Sequence, residues 1–146
     1  MMQPAQPALA AESWPRRLLR WCVRWRHGLG LLAVLAVFAL SSIPNTHPPR
    51  IRGLDKAQHI VEYFALALLF LNVATRGYAR LRLPALLGAW LAVIAVSVLD
   101  ETYQRWIPGR SFEPWDVAAS AAGGLAALGG VLLAHAVAAR PARQRP

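Results

Sequence analysis

The order of apolar and charged positions divides the chain before any other property does. Charge-free runs recur four times, each close to the roughly 17 to 25 residues that a helix needs to cross a hydrocarbon core. The first, Gly28 to about Pro44, is closed by Ile43-Pro44 and followed by Pro48-Pro49, which keeps the next stretch extended. The second runs from about Lys56 to Ala74, although its strictly uncharged part, Tyr63 to Thr75, has only 13 residues. It spans only if the turns carrying His59 and Glu62 enter the bundle or the interface. The third, Leu83 to Leu99, has Pro84 in its first turn and is expected to continue as helix towards Trp106. The fourth, Val117 to Ala139, is the longest and is small-sided. Ser120 with Gly124, and Ala126 with Gly130, stand four apart, a spacing that lets helices approach closely in lipid. The pattern predicts an all-α, polytopic integral membrane protein, a small four-helix transmembrane bundle over 28–139. A basic amphipathic segment precedes it (1–27) and a short basic tail follows (140–146).

In the segment before the first run, Trp14, Leu18, Trp21 and Trp25 share one helical face while Arg16, Arg17, Arg20 and Arg24 lie across from it. Such a helix lies on an anionic membrane surface, or serves as a basic topogenic flank with tryptophan anchors. Ala39-Leu40-Ser41 also resembles a signal cleavage site, but the long basic tail and the later apolar runs make a retained anchor the more natural reading.

Composition changes the picture in two ways. Of 146 residues, 56% are hydrophobic and 16% charged, against about 25% charged in a soluble domain, so neither a soluble fold nor disorder fits. The net charge of +9 sits in short clusters between uncharged runs rather than over a folded face, so membrane lipids are the expected partner and nucleic acid is not. The single cysteine, Cys22, excludes an intrachain disulfide and a thiolate zinc centre. With four crossings, 11 of the 16 basic residues fall on one side, in the two tails and the 75–82 connection, and five on the other. Both termini are therefore expected in the cytoplasm of a multi-pass cell-membrane protein, with the other two loops outside. The acids partition oppositely: Asp55, Glu62, Asp100, Glu101, Glu113 and Asp116 all fall at the outer ends of the helices.

Two outer constellations carry the chemistry. Entering the second helix, Asp55, His59 and Glu62 fall in one narrow arc with Tyr63 beside it and Lys56 close by. Two carboxylates, an imidazole and a phenol on one face suit acid–base work, or a hard or borderline metal held through oxygen and nitrogen. The plainer reading is a capping box from Asp55 to Gln58 at the wet end of a helix. At the end of the third helix, Asp100 and Gln104 share a face beside Glu101, and Pro108-Gly109 fits the centre of a type II turn. That turn throws Arg110 back over the helix ends, to clamp a carboxylate or phosphate or to neutralise Asp100 and Glu101. Asp116, after Pro114-Trp115, is placed to cap the fourth helix.

Taken in order, Asp-Lys-x-x-His-x-x-x-Tyr at Asp55 to Tyr63, Asp-Glu-x-x-Gln at Asp100 to Gln104, Pro-Gly-Arg at Pro108 to Arg110 and Asp116 followed by Gly123 resemble the VanZ-like membrane proteins. The Leu40-Ser41-Ser42 ending of the first helix is similar as well. The resemblance covers about residues 30 to 130 and departs at Ser120, where the family usually carries Asn, so the paired contacts of an amide are lost there. It implies a cell-envelope protein of a family named for resistance to teicoplanin, a lipid-tailed glycopeptide. The leading expectation is a protein that binds or handles an amphiphilic envelope molecule, anionic or glycan-bearing, at the outer leaflet. Asp55, Lys56, Glu62, Tyr63, Gln104, Arg110 and Asp116 would then line the site. The alternatives are a hydrolase or transferase acting on a lipid-linked substrate, with His59 as base beside Asp100 and Glu101, and a non-catalytic scaffold. Cofactor, metal and oligomeric state stay open.

Overall fold

The computed structural model describes residues 14–44 and 53–139. These form five helices and no strand: α1 (Trp14–Arg24), α2 (Arg26–Ser41), α3 (Leu54–Ala74), α4 (Leu83–Gln104) and α5 (Pro114–Ala138). Pro48-Pro49, Arg50, Arg52 and the outer parts of both tails lie outside the described residues. Helices α3, α4 and α5 are long and apolar enough to cross a membrane, at 21, 22 and 25 residues. The second run, the shortest in uncharged residues, reaches this length because its helix begins at Leu54 and includes the turns that carry Asp55, His59 and Glu62. The first run behaves differently from expectation. Helix α2 has only 16 residues, and α1 meets it at 78° across Trp25, so a fourth crossing is present only if this bent pair counts as one broken span.

Helix α3 is the hub, touching α2, α4 and α5 and packing most extensively on α5. The core between them is aliphatic, with Val37, Leu66, Leu71, Leu86 and Val93 buried. The perimeter is richer in large apolar side chains than the interior. Leu31, Leu35, Val61, Leu91, Leu99 and Leu133 all point outward, as expected where the solvent is lipid. Exposed tryptophans flank the two ends: Trp14, Trp21 and Trp25 at one, Trp106 and Trp115 at the other. This is the distribution of residues that anchor at the two interfaces of a bilayer.

Close packing of α3 on α5 depends on one glycine. A Cβ placed on Gly123 would run into the Ile60 carbonyl oxygen, so backbone meets backbone there and only glycine fits. Gly124 faces α4 instead, against Trp90 and Val93, while the Trp90 indole donates to the Ala121 carbonyl at 3.0 Å. The small-residue stripe is thus used only in its first half, since Ala126, Gly129 and Gly130 face outward with no neighbour near either glycine.

At the opposite end from Trp106, α3 leaves through Arg76, Gly77 and Tyr78, all in the left-handed region. Two non-glycine residues in that region cost about 1–2 kcal/mol each. The turn holds because the Thr75 hydroxyl accepts the Tyr78 N–H at 3.0 Å, Gly77 N–H reaches the Asn72 carbonyl at 2.7 Å, and the Tyr78 hydroxyl donates to the Leu68 carbonyl at 2.6 Å. Burial raises the pKa of the Tyr78 hydroxyl, so it remains a donor at neutral pH. Val23 of α1 packs against Gly77 and ties the amphipathic helix to this turn.

Candidate functional site

The ends of α2 and α4 and the starts of α3 and α5 enclose a polar chamber of about 450 Å³. Asp55, His59, Glu62, Gln104, Arg110 and Asp116 are on its wall. Two of the polar side chains were expected to be helix caps and are not. Gly53, at φ +80°, takes the N-cap position of α3, so Asp55 lies inside the first turn and no capping box forms. Pro114 presets the helical φ and starts α5 early, which puts Glu113 at the N-cap and turns Asp116 inward. Both carboxylates go to one cation: Lys56 Nζ stands 2.8 Å from Asp55, 3.1 Å from Asp116 and 3.2 Å from Glu113.

Deeper in, His59 stacks on the fully buried Tyr63, with centroids 5.9 Å apart and planes 14° from parallel. Its Nε2 lies 3.6 Å from Glu101 Oε1 and 3.6 Å from Asp116 Oδ2, and its Nδ1 lies 3.4 Å from Ser120 Oγ. The other Glu101 oxygen accepts the Glu113 backbone N–H at 3.0 Å. Asp100, also buried, accepts from Tyr63 at 3.3 Å and from Gln104 at 3.0 Å. Gln104 in turn accepts from Arg110 Nη1 at 3.1 Å and donates to Ser41 at 3.3 Å.

Arg110 reaches its place by the expected turn. Gly109 has φ +76° and Arg110 N–H closes on the Ile107 carbonyl at 3.1 Å. The guanidinium, however, forms no ion pair among the described residues. Its Nε binds the Ile43 carbonyl at 3.2 Å, and it meets Asp100 only through Gln104. Arg110 therefore fastens the end of α2 to α4, and Lys56, enclosed by three acids, is a counter-ion rather than a free clamp.

The sequence-predicted residues thus gather at one mouth, His59 beside Glu101 rather than Asp100. Sequence reasoning missed the supports. Ser41 is legible for its place at the end of the first run and in the family resemblance, Glu113 as one more outer acid, and Ser120 as a small residue paired with Gly124 and a departure from the family pattern, none of them as a support of the site. Six of the chain's seven acids meet here, facing Lys56, Arg110 and one imidazole. One oxygen each of Glu62, Asp100 and Glu101 is buried without a hydrogen-bond partner.

A family model described as VanZ/LLP1 matches residues 30–135, a span that takes in most of α2 and α5, all of α3 and α4, and every residue of the chamber. The chain belongs to the VanZ/LLP1 family. No curated protein and no solved structure matches it. Family membership joins the apolar helices in identifying a membrane protein, and all four motif segments lie within the matched span, whereas α1 lies before it.

Proposed function

We propose that this VanZ-family protein takes the polar head of an envelope amphiphile into the chamber from the outer leaflet while the tail stays in lipid. One observation carries the reading: a polar cavity opens at the end of apolar helices, with the exposed Leu40 and Leu54 at its rim. A molecule that is half head and half tail is the ligand such a boundary fits. The surplus of acids and the amide of Gln104 favour a head rich in hydrogen-bond donors, as a glycan is. Teicoplanin resistance in the family name agrees with this, because a lipid-tailed glycopeptide has the same division into head and tail. The outer-leaflet placement rests on the basic-residue imbalance.

A catalytic version is favoured by one feature, His59 Nε2 facing two carboxylates inside the chamber. Ser120 is not its nucleophile, since that hydroxyl is fully buried and donates to the Asp116 carbonyl at 2.8 Å.

Retention of matched lipids by the detergent-purified chain, read by native mass spectrometry, tests the binding. Diglucosyldiacylglycerol should be retained several-fold better than phosphatidylglycerol or diacylglycerol with the same acyl chains, because an acid-rich chamber with its cations already engaged disfavours an anionic head. Arg110→Lys should abolish that preference, because an ammonium cannot reproduce the paired Nε and Nη1 contacts that shape the mouth. Equal retention of all three lipids would leave the scaffold reading in its place.

A further inference from the structure

We propose that His59, Glu101 and Asp116 form a site for a divalent cation of the zinc class. Nε2 of His59, Oε1 of Glu101 and Oδ2 of Asp116 come from three different helices, and the three residues offer ligand atoms within 4.8 Å of one another. The two imidazole-to-carboxylate distances, both 3.6 Å, are too long for hydrogen bonds. They are close to the edge of a tetrahedron of ligands around zinc, about 3.4 Å for metal–ligand bonds of roughly 2.0–2.1 Å. Glu101 supplies an independent sign: it is 0% exposed, and its Oε1, aimed at His59 Nε2, has no hydrogen-bond partner.

Every ligand is held by its far side. Ser120 spends its own proton on the Asp116 carbonyl at 2.8 Å, so towards His59 its oxygen acts as an acceptor, 3.4 Å from Nδ1. That arrangement assigns the ring proton to Nδ1 and leaves the Nε2 lone pair facing two carboxylates. Glu101 is fixed by the Glu113 N–H at 3.0 Å and Asp116 by Lys56 at 3.1 Å, each through the oxygen that does not face the imidazole. Three electron-rich atoms converge with no donor among them, which a cation resolves.

The neighbouring acid cluster, Asp55, Glu113 and Asp116, differs in that Lys56 Nζ already sits among its oxygens. One imidazole nitrogen with two carboxylates suits zinc or manganese better than magnesium or calcium, which prefer all-oxygen shells. His59 and Asp116 line the chamber, so the remaining coordination position faces it and would receive an oxygen of the bound head. The ion site is built from these three side chains and their supports and does not depend on which head the chamber takes.

The test uses the full chain in detergent, stripped with a chelator and then dialysed against Zn²⁺, with metal counted by mass spectrometry. One zinc per chain is expected, with Mg²⁺ in large excess failing to displace it. Co²⁺ in place of zinc should give the intense d–d absorption of a four-coordinate site. Glu101→Gln should lower zinc affinity at least tenfold, and Ser120→Ala, which keeps all three ligands, about 10- to 100-fold. The lipid-facing Val61→Ala should leave zinc binding unchanged. Zinc content well below one per chain in the wild type overturns the site even if no variant folds, and so does binding that survives Glu101→Gln. Retention of the glycolipid by protein that binds no zinc would overturn the ion site alone, and zinc binding without lipid preference would overturn only the amphiphile reading.

Discussion

At Gly123 a single added methyl would meet the Ile60 carbonyl oxygen, whereas at Gly129 it would meet open space on an outward helix face. The same substitution at the two positions therefore has opposite consequences. Gly123→Ala forces α3 and α5 apart and should cost about 1–3 kcal/mol, read as a lower melting temperature in detergent. Gly129→Ala should cost nothing and gain up to about 1 kcal/mol of helix propensity. A Gly123→Ala protein that melts with the wild type would mean the helices do not cross where the structure places them. Lys56 is the second residue whose role is readable from its contacts. Lys56→Met leaves Asp55, Glu113 and Asp116 facing one another and should lower the melting temperature, while a further Asp116→Asn change should recover part of the loss. At this scale the sequence was informative about which residues gather and poor about what each one does. Asp55 and Asp116 look like caps because helix starts attract acids. Only the early entry given by Gly53 and Pro114 turns them into the chamber.

Among the elements, α3, α4 and α5 were legible because a helix in lipid must be apolar along its length, and their observed ends differ from the expected ones by a few residues at most termini. Helix α2 was less so: its sequence reads as a span, but the 78° bend at Trp25 depends on how α1 docks, which no local pattern encodes. The docking rests on the α3–α4 turn, where Val23 meets Gly77 and where Arg76 and Tyr78 are held at positive φ. Tyr78→Phe removes the bond to the Leu68 carbonyl and should cost about 1 kcal/mol. Its effect should extend to α1: a spin label at Leu18 should become more mobile in the variant than in the parent. An unchanged label with an unchanged melting temperature would show that the turn does not hold the amphipathic helix.

For the molecule as a whole, the two ends differ in kind, one basic and tied by backbone turns, the other acid-rich and hollow. Cysteines placed singly in a Cys22→Ser background should report this in intact cells. Ser111→Cys, at the chamber mouth, should react with an impermeant thiol reagent, and Ala79→Cys, at the far end, should not. Reversed labelling would put the chamber on the cytoplasmic face and remove the outer-leaflet reading. The gathering of the motifs was legible from topology, since short loops leave the ends of α2 to α5 little choice of neighbours. The pairing within the chamber was not, because it depends on the closeness of α3 to α5. That closeness has a mechanical meaning. Gly123 puts backbone against backbone beside His59, one helical turn from Ser120 and about two from Asp116, so no side chain of α5 stands between the two helices at that point. By contrast, α2 rests on α3 and α4 less extensively than α3 packs on α5. The wall of the chamber that carries His59 and Asp116 is thus set by backbone on backbone, whereas the wall at the end of α2 is held by side chains, through Arg110 to the Ile43 carbonyl and Gln104.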